Sequence, residues 1–328
     1  MSPTPEAVAH MEARQRLALA TALATHRVWR RLDQDNLYRS WLGLAGDVLV
    51  IIMSGQLTAA QMTGPWLNSL LGPENEDRPD AGRIIPEAFT GVDGAGRPLG
   101  GVLMAPIWTA LRMVTAGRPI LEALVAGRAT LDAIARTAVA DIGRAADSTA
   151  MTARPSVTGY IRVVEGGACD RCIVLAGNEY GHSTGFLRHP RCNCGMEPVT
   201  REHRPRPASP SELVAQMSEE QRRKTFGEAG AKAIADGADL GQLVNARRGM
   251  QSASVLGGRA ITTTEGTVRG EFRRREFRRL QAAGAIPRSR SIRGFRPTTT
   301  RLMPEEIYHL ADDRAHAVQL LRQHGYIA

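Results

Sequence analysis

The sequence contains little lysine, few aromatic residues and no long apolar run. Aromatic residues make up 5% of the 328 positions, which favours helical cores of Leu, Ala, Ile and Met over a β-sandwich. The longest apolar run, residues 48–53, is too short to span a bilayer. The amino terminus has no basic patch before an apolar core, so we expect neither a secretory signal nor a membrane partner.

Two common catalytic motifs are also missing. The sequence has no His-Glu-x-x-His pair and no P-loop. Gly94-Ala95-Gly96 resembles the start of a dinucleotide loop, but Leu99 stands where the third glycine would be, so a turn is predicted. These absences favour a structural or binding protein over an enzyme.

Positive charge exceeds negative charge, with 42 Lys and Arg against 33 Asp and Glu and a net charge of +9. Only Lys224 and Lys232 are lysines and the other 40 cations are arginines, a bias that a GC-rich genome produces by itself. The excess is local, because residues 242–301 hold 14 arginines against three glutamates. This segment therefore carries +11 and the rest of the chain −2, which is typical of contact with an anionic partner.

Residues 1–155 are predicted to form a helical N-terminal domain. Thr4 can cap a first helix, and Pro5 suits its first position. A second helix is expected over residues 38–53, with Gly55 separating it from a third.

Residues 72–101 alternate proline with glycine and are predicted to form a long loop of turns. Helical periodicity returns over residues 103–150, where Gly117-Arg118-Pro119 is expected to separate two helices. One apolar face is predicted to pack in the core: Leu121, Leu124, Val125, Leu131, Ile134, Val139 and Ile142.

The rest of the chain is divided by composition into a small central unit, residues 156–200, a linker, residues 201–210, and a helical, Arg-rich C-terminal region, residues 211–328. The best β segment, residues 158–164, lies at the start of the central unit and leads straight into its cysteine cluster. Helices of the C-terminal region are predicted to begin after three caps, Ser209, Ser218 and Asp239, and a final helical segment to begin at Pro304.

All four cysteines lie in the central unit, as Cys169-x-x-Cys172 and Cys192-x-Cys194, with His189 just before the second pair. A tight turn lets both thiolates of Cys-x-x-Cys face one point, and zinc requires four such ligands. The spacing predicts structural zinc held by four of these five residues. Either all four cysteines or three cysteines with His189 would complete the site.

Other interpretations of the cluster are a redox dithiol at Cys169 and Cys172, or ordinary structural cysteines. A redox motif would not require the second pair. Catalytic zinc would need an open coordination position and a nearby base, for which Glu179 and His182 are the local candidates. The simpler interpretation of His182 and His203 is that they are exposed polar residues.

The predicted fold is therefore mainly α, with an N-terminal helical bundle, a small zinc-stapled α+β unit in the middle and a helical, Arg-rich C-terminal region. Cys169-x-x-Cys172-x-x-Leu175-x-Gly177 followed by His189-Pro190-x-Cys192-x-Cys194 resembles the signature of phage Mu F-like minor head proteins, also called head morphogenesis proteins, of the actinobacteriophage type. The resemblance extends from about residue 158 to the C-terminus. It implies a low-copy virion component at the portal or capsid interior that acts in head assembly and DNA packaging.

Two rival functions are open at this point. A zinc-supported nuclease of the treble-clef type would require His182, Asn193 or His203 for its chemistry. A zinc-ribbon protein of the host would bind nucleic acid without a capsid role.

The basic segment supplies the candidate contacts to packaged double-stranded DNA or to an acidic portal or capsid surface. Its alternative interpretation is a solvated basic surface. Phe272 and Phe277 interleave with the cations of one predicted helical turn and could pack or stack. The candidate contact residues are Arg247, Arg248, Arg273, Arg274, Arg275, Arg278 and Arg279.

Overall fold

The computed structural model describes residues 3–72, 83–164, 168–181, 184–185, 189–192, 194–248, 250–255, 258–267 and 270–327. The chain is mainly helical with a small amount of sheet, as predicted. It divides into two compact units. The first unit comprises Met1–Glu165 with Ala176–Ala208, and the second comprises Gly166–Leu175 with Ser209–Ala328.

The first unit contains long helices and one small sheet. Its helices are α1 (Pro5–Trp29), α2 (Leu37–Gln61), α3 (Thr63–Leu71), α4 (Leu99–Val102), α5 (Met104–Thr115) and α6 (Ile120–Thr152), with a 3-10 turn at Pro86–Phe89. Its strands are β1 (Gly159–Val163), β2 (Glu179–Gly181) and β3 (Gly195–Val199). The sheet has the order β2-β1-β3, and both neighbours of β1 are antiparallel to it.

The helices of this unit surround an apolar core to which α1, α2, α5 and α6 all contribute. Trp41 is fully buried there, its ring lies 5.2 Å from that of Trp29, and its Nε1 donates to the Leu103 carbonyl at 2.9 Å. Because a backbone carbonyl accepts from the indole N–H, the large ring is buried without the free-energy cost of an unpaired polar group.

A buried polar group also joins α1 to α6. The Arg14 guanidinium forms an ion pair with Asp147 and donates to Thr63 Oγ1 at 2.9 Å. Burial alone would raise the pKa of Asp147, but the charge of Arg14 and the hydrogen bond from His10 outweigh it and hold that pKa low. Asp147 therefore stays ionised in the interior.

Several predicted boundaries of this unit are confirmed. Thr4 caps α1 by accepting from the Ala7 amide at 3.3 Å, and the break at Gly117-Arg118-Pro119 separates α5 from α6. Gly94-Ala95-Gly96 forms a turn, closed by a hydrogen bond from the Gly96 amide to the Asp93 carbonyl. Of the predicted loop, residues 73–82 lie outside the described residues.

The break expected at Gly55 is wrong, because α2 continues to Gln61. A Cβ at position 55 would lie 2.5 Å from Thr21 Oγ1 and 3.0 Å from Val139 Cγ2. Gly55 therefore allows α1 and α6 to approach α2 closely and does not end the helix.

The predicted apolar face of α6 is wrong at its first turns. Leu121 and Val125 are 66% and 56% exposed, whereas Leu131, Val139 and Ile142 are buried. Although no unbroken apolar run is long, the helical span Leu37–Leu71 is long and apolar enough to cross a bilayer by length and composition. One such helix is weak evidence, because the core helix of a soluble protein passes the same test.

The second unit combines short helices with a separate three-stranded sheet, of order β4-β5-β6. Its helices are α7 (Asp170–Val174), α8 (Pro210–Gln216), α9 (Glu219–Phe226), α10 (Glu228–Ala235), α11 (Leu240–Arg248), α12 (Glu271–Ala282), α13 (Pro304–Leu310) and α14 (Arg314–Gln323). Its strands are β4 (Gln251–Val255), β5 (Gly258–Thr263) and β6 (Arg301–Leu302).

The three predicted caps of this unit are confirmed. Ser209 and Ser218 form capping boxes with Glu212 and Gln221, and Asp239 Oδ1 accepts from the Gln242 amide at 2.7 Å. The sheet was not predicted, because the glycine and arginine content of residues 245–301 conceals the alternation typical of strands.

Candidate metal centre and basic surface

The first cysteine pair lies at the start of a short helix. Cys169 occupies the N-cap position of α7, and its carbonyl accepts from the amides of Cys172 and Ile173 at 3.0 and 3.1 Å. This tight turn is the local structure that the Cys-x-x-Cys spacing predicts.

The second set of ligands is positioned by a turn with strained backbone. The Cys192 amide donates to the His189 carbonyl at 3.1 Å, which closes the turn His189-Pro190-Arg191-Cys192. Pro190 fixes its own φ, and Arg191 adopts a φ of 62°, a left-handed conformation that favours glycine.

Arg191 is held in that conformation by α6. Its amide donates to Thr137 Oγ1 at 3.1 Å, and its guanidinium lies 3.1 Å from Asp132 Oδ2. Strained backbone of this kind concentrates at functional sites, where surrounding contacts maintain it.

The ligand atoms of the five predicted residues lie close together. Those of Cys169, Cys172 and His189 are all within 4.8 Å of one another, and so are those of Cys172, Cys192 and Cys194. Sulfur atoms around a tetrahedral zinc ion are about 3.8 Å apart for a Zn–S bond of about 2.3 Å. The cluster can therefore hold a metal ion, with Cys172 common to both groups.

The cysteine thiols are well shielded from solvent. Cys172, Cys192 and Cys194 are buried, and Cys169 is half-buried. No disulfide links these four cysteines, all of which the structure describes. Thiolate and imidazole are donors that zinc prefers, so the residues present fit such an ion.

Two buried arginines adjoin the second cysteine pair. Arg162 of β1 is 1% exposed, and its Nη2 lies 3.8 Å from Cys192 Sγ and 3.6 Å from Cys194 Sγ. Arg144 of α6 donates to the carbonyls of Cys192 and Cys194 at 3.0 and 3.1 Å. Their positive charge favours the thiolate form that a metal requires.

Neither Arg144 nor Arg162 was predicted to be part of the site. The register Arg162↔Met196 between β1 and β3 places Arg162 beside the end of the cysteine segment. A cation inside an otherwise apolar strand, Tyr160-Ile161-Arg162-Val163, was the available signal, since a buried arginine needs nearby acceptors.

Gly177, part of the predicted signature, has a conformational role. Its φ is +72°, and a Cβ there would lie 3.1 Å from Pro207 Cγ. Both constraints favour glycine.

Of the three residues that a nuclease would need, the described part of the chain includes only His203. His182 and Asn193 lie outside the described residues. His203 is not an exposed polar residue, because its side chain is 19% exposed and its Nε2 lies 3.2 Å from the fully buried Glu197. Glu179 lies in β2.

The seven predicted anion-contact arginines occupy different environments. Arg247 lies 3.9 Å from Asp170 and 3.8 Å from Glu305, and Arg248 is exposed at the end of α11. The other five lie on α12, which confirms the predicted helix at this position.

Most arginine side chains of α12 form hydrogen bonds or ion pairs within the second unit. Arg273 and Arg275 donate to backbone carbonyls, and Arg278 and Arg279 pair with Glu271 and Glu276 at 2.8 Å. Arg274 is the exception, because its exposed guanidinium forms neither an ion pair nor a hydrogen bond within the described residues. Phe272 and Phe277 are buried, so they pack in the interior and offer no surface for stacking on bases.

One further arginine of the basic segment is in the interior. Arg301 is 1% exposed and lies between two rings, with its Cζ 4.8 Å from the centre of Phe272 and 4.3 Å from that of Tyr326. It donates to the carbonyls of Glu265 and His324 at 2.8 and 3.1 Å. It therefore stabilises the second unit and is unavailable to a partner.

Comparisons of the whole chain with protein-family models, with curated proteins and with solved structures find no match.

Proposed function

We propose that this chain is a structural, minor head protein of a bacteriophage, of the Mu F-like type, whose central segment is stabilised by a zinc ion. The observation that supports this most is the cysteine cluster. The residues that carry the resemblance, Cys169, Cys172, His189, Cys192 and Cys194, are those whose ligand atoms converge.

The zinc ion would supply folding free energy and no bond-breaking chemistry. Four of the five residues would hold it, and its binding free energy would add to the folding free energy of the segment. Arg162 and Arg144 would offset the negative charge that three or four thiolates place in a buried site.

The N-terminal helices would dock on the portal or on a capsid protein. Large apolar side chains are exposed on this unit, and such side chains are typical of protein-binding surfaces when they are grouped. On α5 they border a groove of about 760 Å³ whose lining includes Trp108, which is 52% exposed, and Arg112.

The virion role is tested by location and by loss of function. The gene should lie beside genes for a terminase, a portal and a major capsid protein, and the protein should be found in purified virions at a few copies per particle. A phage that lacks the gene should form heads that fail to package DNA. A gene without such neighbours, whose product is absent from virions, would overturn the proposal.

The proposal of a structural role is tested against the nuclease by a plasmid-nicking assay with added divalent metal. We expect no cleavage. Cleavage that is lost in a His182→Ala variant would establish the nuclease instead.

A further inference from the structure

Five arginines of α12 and the segment that follows it have exposed side chains that form neither an ion pair nor a hydrogen bond within the described residues. They are Arg274, Arg288, Arg290, Arg293 and Arg296. Four of them, all except Arg274, are not among the arginines that the sequence pattern predicted as anion contacts.

The segment that carries these four arginines is fixed against α12. Arg273 Nη2 donates to the carbonyls of Ile292 and Arg293 at 3.2 and 3.0 Å. Gln281 Nε2 donates to the carbonyls of Pro287 and Arg288 at 3.3 and 3.4 Å. The backbone beneath the exposed cations is therefore ordered on both sides of the segment.

An apolar cluster holds the same segment in place. Phe277 of α12 packs with Ile286 and Phe295, all three are buried, and the two phenylalanine rings are 5.2 Å apart. The segment thus contributes its apolar side chains to the interior and its arginines to the surface.

The charge of the neighbouring Arg279 is offset by a carboxylate, so this arginine is not counted in the surface. Glu276 is buried and accepts from Arg279 at 2.8 Å and from Thr299 Oγ1 at 2.6 Å. The hydrogen bond from Arg279 is the main cause of the lowered pKa of Glu276, so this carboxylate stays ionised and continues to offset Arg279.

We propose that Arg274, Arg288, Arg290, Arg293 and Arg296 form a surface that binds the phosphate backbone of double-stranded DNA without sequence preference. Guanidinium groups bind phosphate oxygens in pairs, and a long side chain on a fixed backbone can adjust to successive phosphates. The identification of this DNA as the packaged genome rests on the proposed function. The binding of DNA by these arginines does not depend on that function.

The burial of nearby aromatic rings favours a duplex over a single strand. Proteins that bind single strands stack bases on aromatic side chains, and Phe272, Phe277 and Phe295 are all buried here. Phosphate contact alone is sufficient for non-specific duplex binding.

The experiment compares two full-length variants with the same change in net charge. In the first, Arg274, Arg288, Arg290, Arg293 and Arg296 are all replaced by glutamine. In the matched control, glutamine replaces five exposed arginines of the first unit whose side chains likewise form neither an ion pair nor a hydrogen bond within the described residues: Arg27, Arg30, Arg39, Arg83 and Arg128. Affinity for two unrelated duplexes is measured over a series of salt concentrations.

We expect the first variant to bind both duplexes at least tenfold more weakly at low salt. Its salt dependence, the slope of log K against log salt, should fall by about 0.9 for each phosphate that the variant no longer binds. The control should retain most of the affinity and the slope. Equal reductions of affinity in both variants, no duplex binding by the wild type at low salt, or tighter binding to poly-glutamate than to duplex would each overturn the proposal.

Zinc content and thermal unfolding are measured on the same samples. Both should equal those of the wild type, because the replaced side chains are exposed and distant in sequence from the cysteines. A failure of DNA binding with intact zinc content would leave the proposed function standing, so the two proposals fail separately.

Discussion

The cysteine segment, residues 169–194, and the arginine segment, residues 242–301, differ in what the fold does with residues of one type. The fold brings the ligand atoms of all four cysteines and His189 into two overlapping groups. It distributes the arginines among the interior, backbone carbonyls, carboxylates and solvent.

This difference follows from what each type of residue requires. A metal needs several ligands at one point, so spacing along the chain restricts the cysteines to a common site. Arginines repel one another and each finds its own acceptors, so a run of arginines does not define a common surface. A motif with spacing is therefore a better guide to a site than an excess of one residue.

The largest expected effect is the loss of metal from a Cys172→Ser variant. Cys172 belongs to both groups of ligand atoms, so its replacement removes a thiolate from either possible set. We expect zinc content, measured by atomic spectroscopy on purified protein, to fall from about one equivalent to less than about a tenth.

A His189→Ala variant extends the same measurement. Retention of full zinc would assign the site to the four cysteines, and a loss like that of Cys172→Ser would assign it to three cysteines and His189. A full equivalent of zinc in the Cys172→Ser variant would contradict the prediction that Cys172 is a metal ligand.

The second prediction concerns the interior arginine of the other segment. Arg301→Met would leave the carbonyls of Glu265 and His324 without their donor and remove two cation–π contacts. We expect the free energy of unfolding of the second unit to fall by about 3 kcal/mol.

This unit can be followed separately. All four tryptophans lie in the first unit, so tryptophan fluorescence reports that unit while circular dichroism in urea also reports the second. The control Arg296→Met, at an exposed position, should change stability by less than about 0.5 kcal/mol. Equal effects of the two variants would mean that burial does not distinguish the arginines of this segment.

The third prediction tests whether an arginine serves the cysteine segment. Arg162→Met removes the donor that lies near Cys192 Sγ and Cys194 Sγ. Loss of groups that surround metal ligands weakens metal binding by about 10- to 100-fold, and we expect that range in a chelator competition. Arg154→Met, a half-buried arginine that donates to the Ala150 carbonyl, is the control and should retain zinc. Unchanged affinity in Arg162→Met would remove Arg162 from the site.

The smallest expected effect is on the pH dependence of stability in the second unit, which contains the arginine segment. Burial, then the charges of Arg301 and Arg275, lowers the pKa of His324 from 6.5 to about 4. Between these values the unfolded chain binds a proton that the folded chain does not, so stability falls as the pH drops from 6.5 towards 4 and is unaffected above that window.

Replacement of His324 by glutamine should remove this part of the pH dependence. We expect the loss of unfolding free energy between pH 7 and pH 5 to shrink by about 1 kcal/mol, after allowance for the solvent that reaches the side chain. The same pH dependence in both proteins would mean that His324 is not responsible for it.

Local sequence rules predicted several helix starts and the ligand cluster well. The caps at Thr4, Ser209 and Ser218 are short-range features in which one side chain satisfies a nearby amide, so a few residues are sufficient to identify them. The Cys-x-x-Cys turn is equally local.

Features that depend on distant parts of the chain were missed. Glycine is typical of helix breaks, but Gly55 lies within α2, where its lack of a side chain allows close contact with Thr21 and Val139. Arg162 and Arg301 lie at positions that only tertiary structure identifies as buried, and the partners of Arg301 are separated from it by more than 20 residues. Exposure of Leu121 and Val125 likewise depends on tertiary structure, because the first turns of α6 bury a different face, which carries Ala123 and Gly127.

The most direct test of the central claim is the metal content of the wild-type protein, purified under reducing conditions and without added chelator. The account predicts about one equivalent of zinc per chain, with all four thiols unreactive until the metal is removed. Less than about half an equivalent of zinc, with the thiols oxidised or freely reactive, would contradict it.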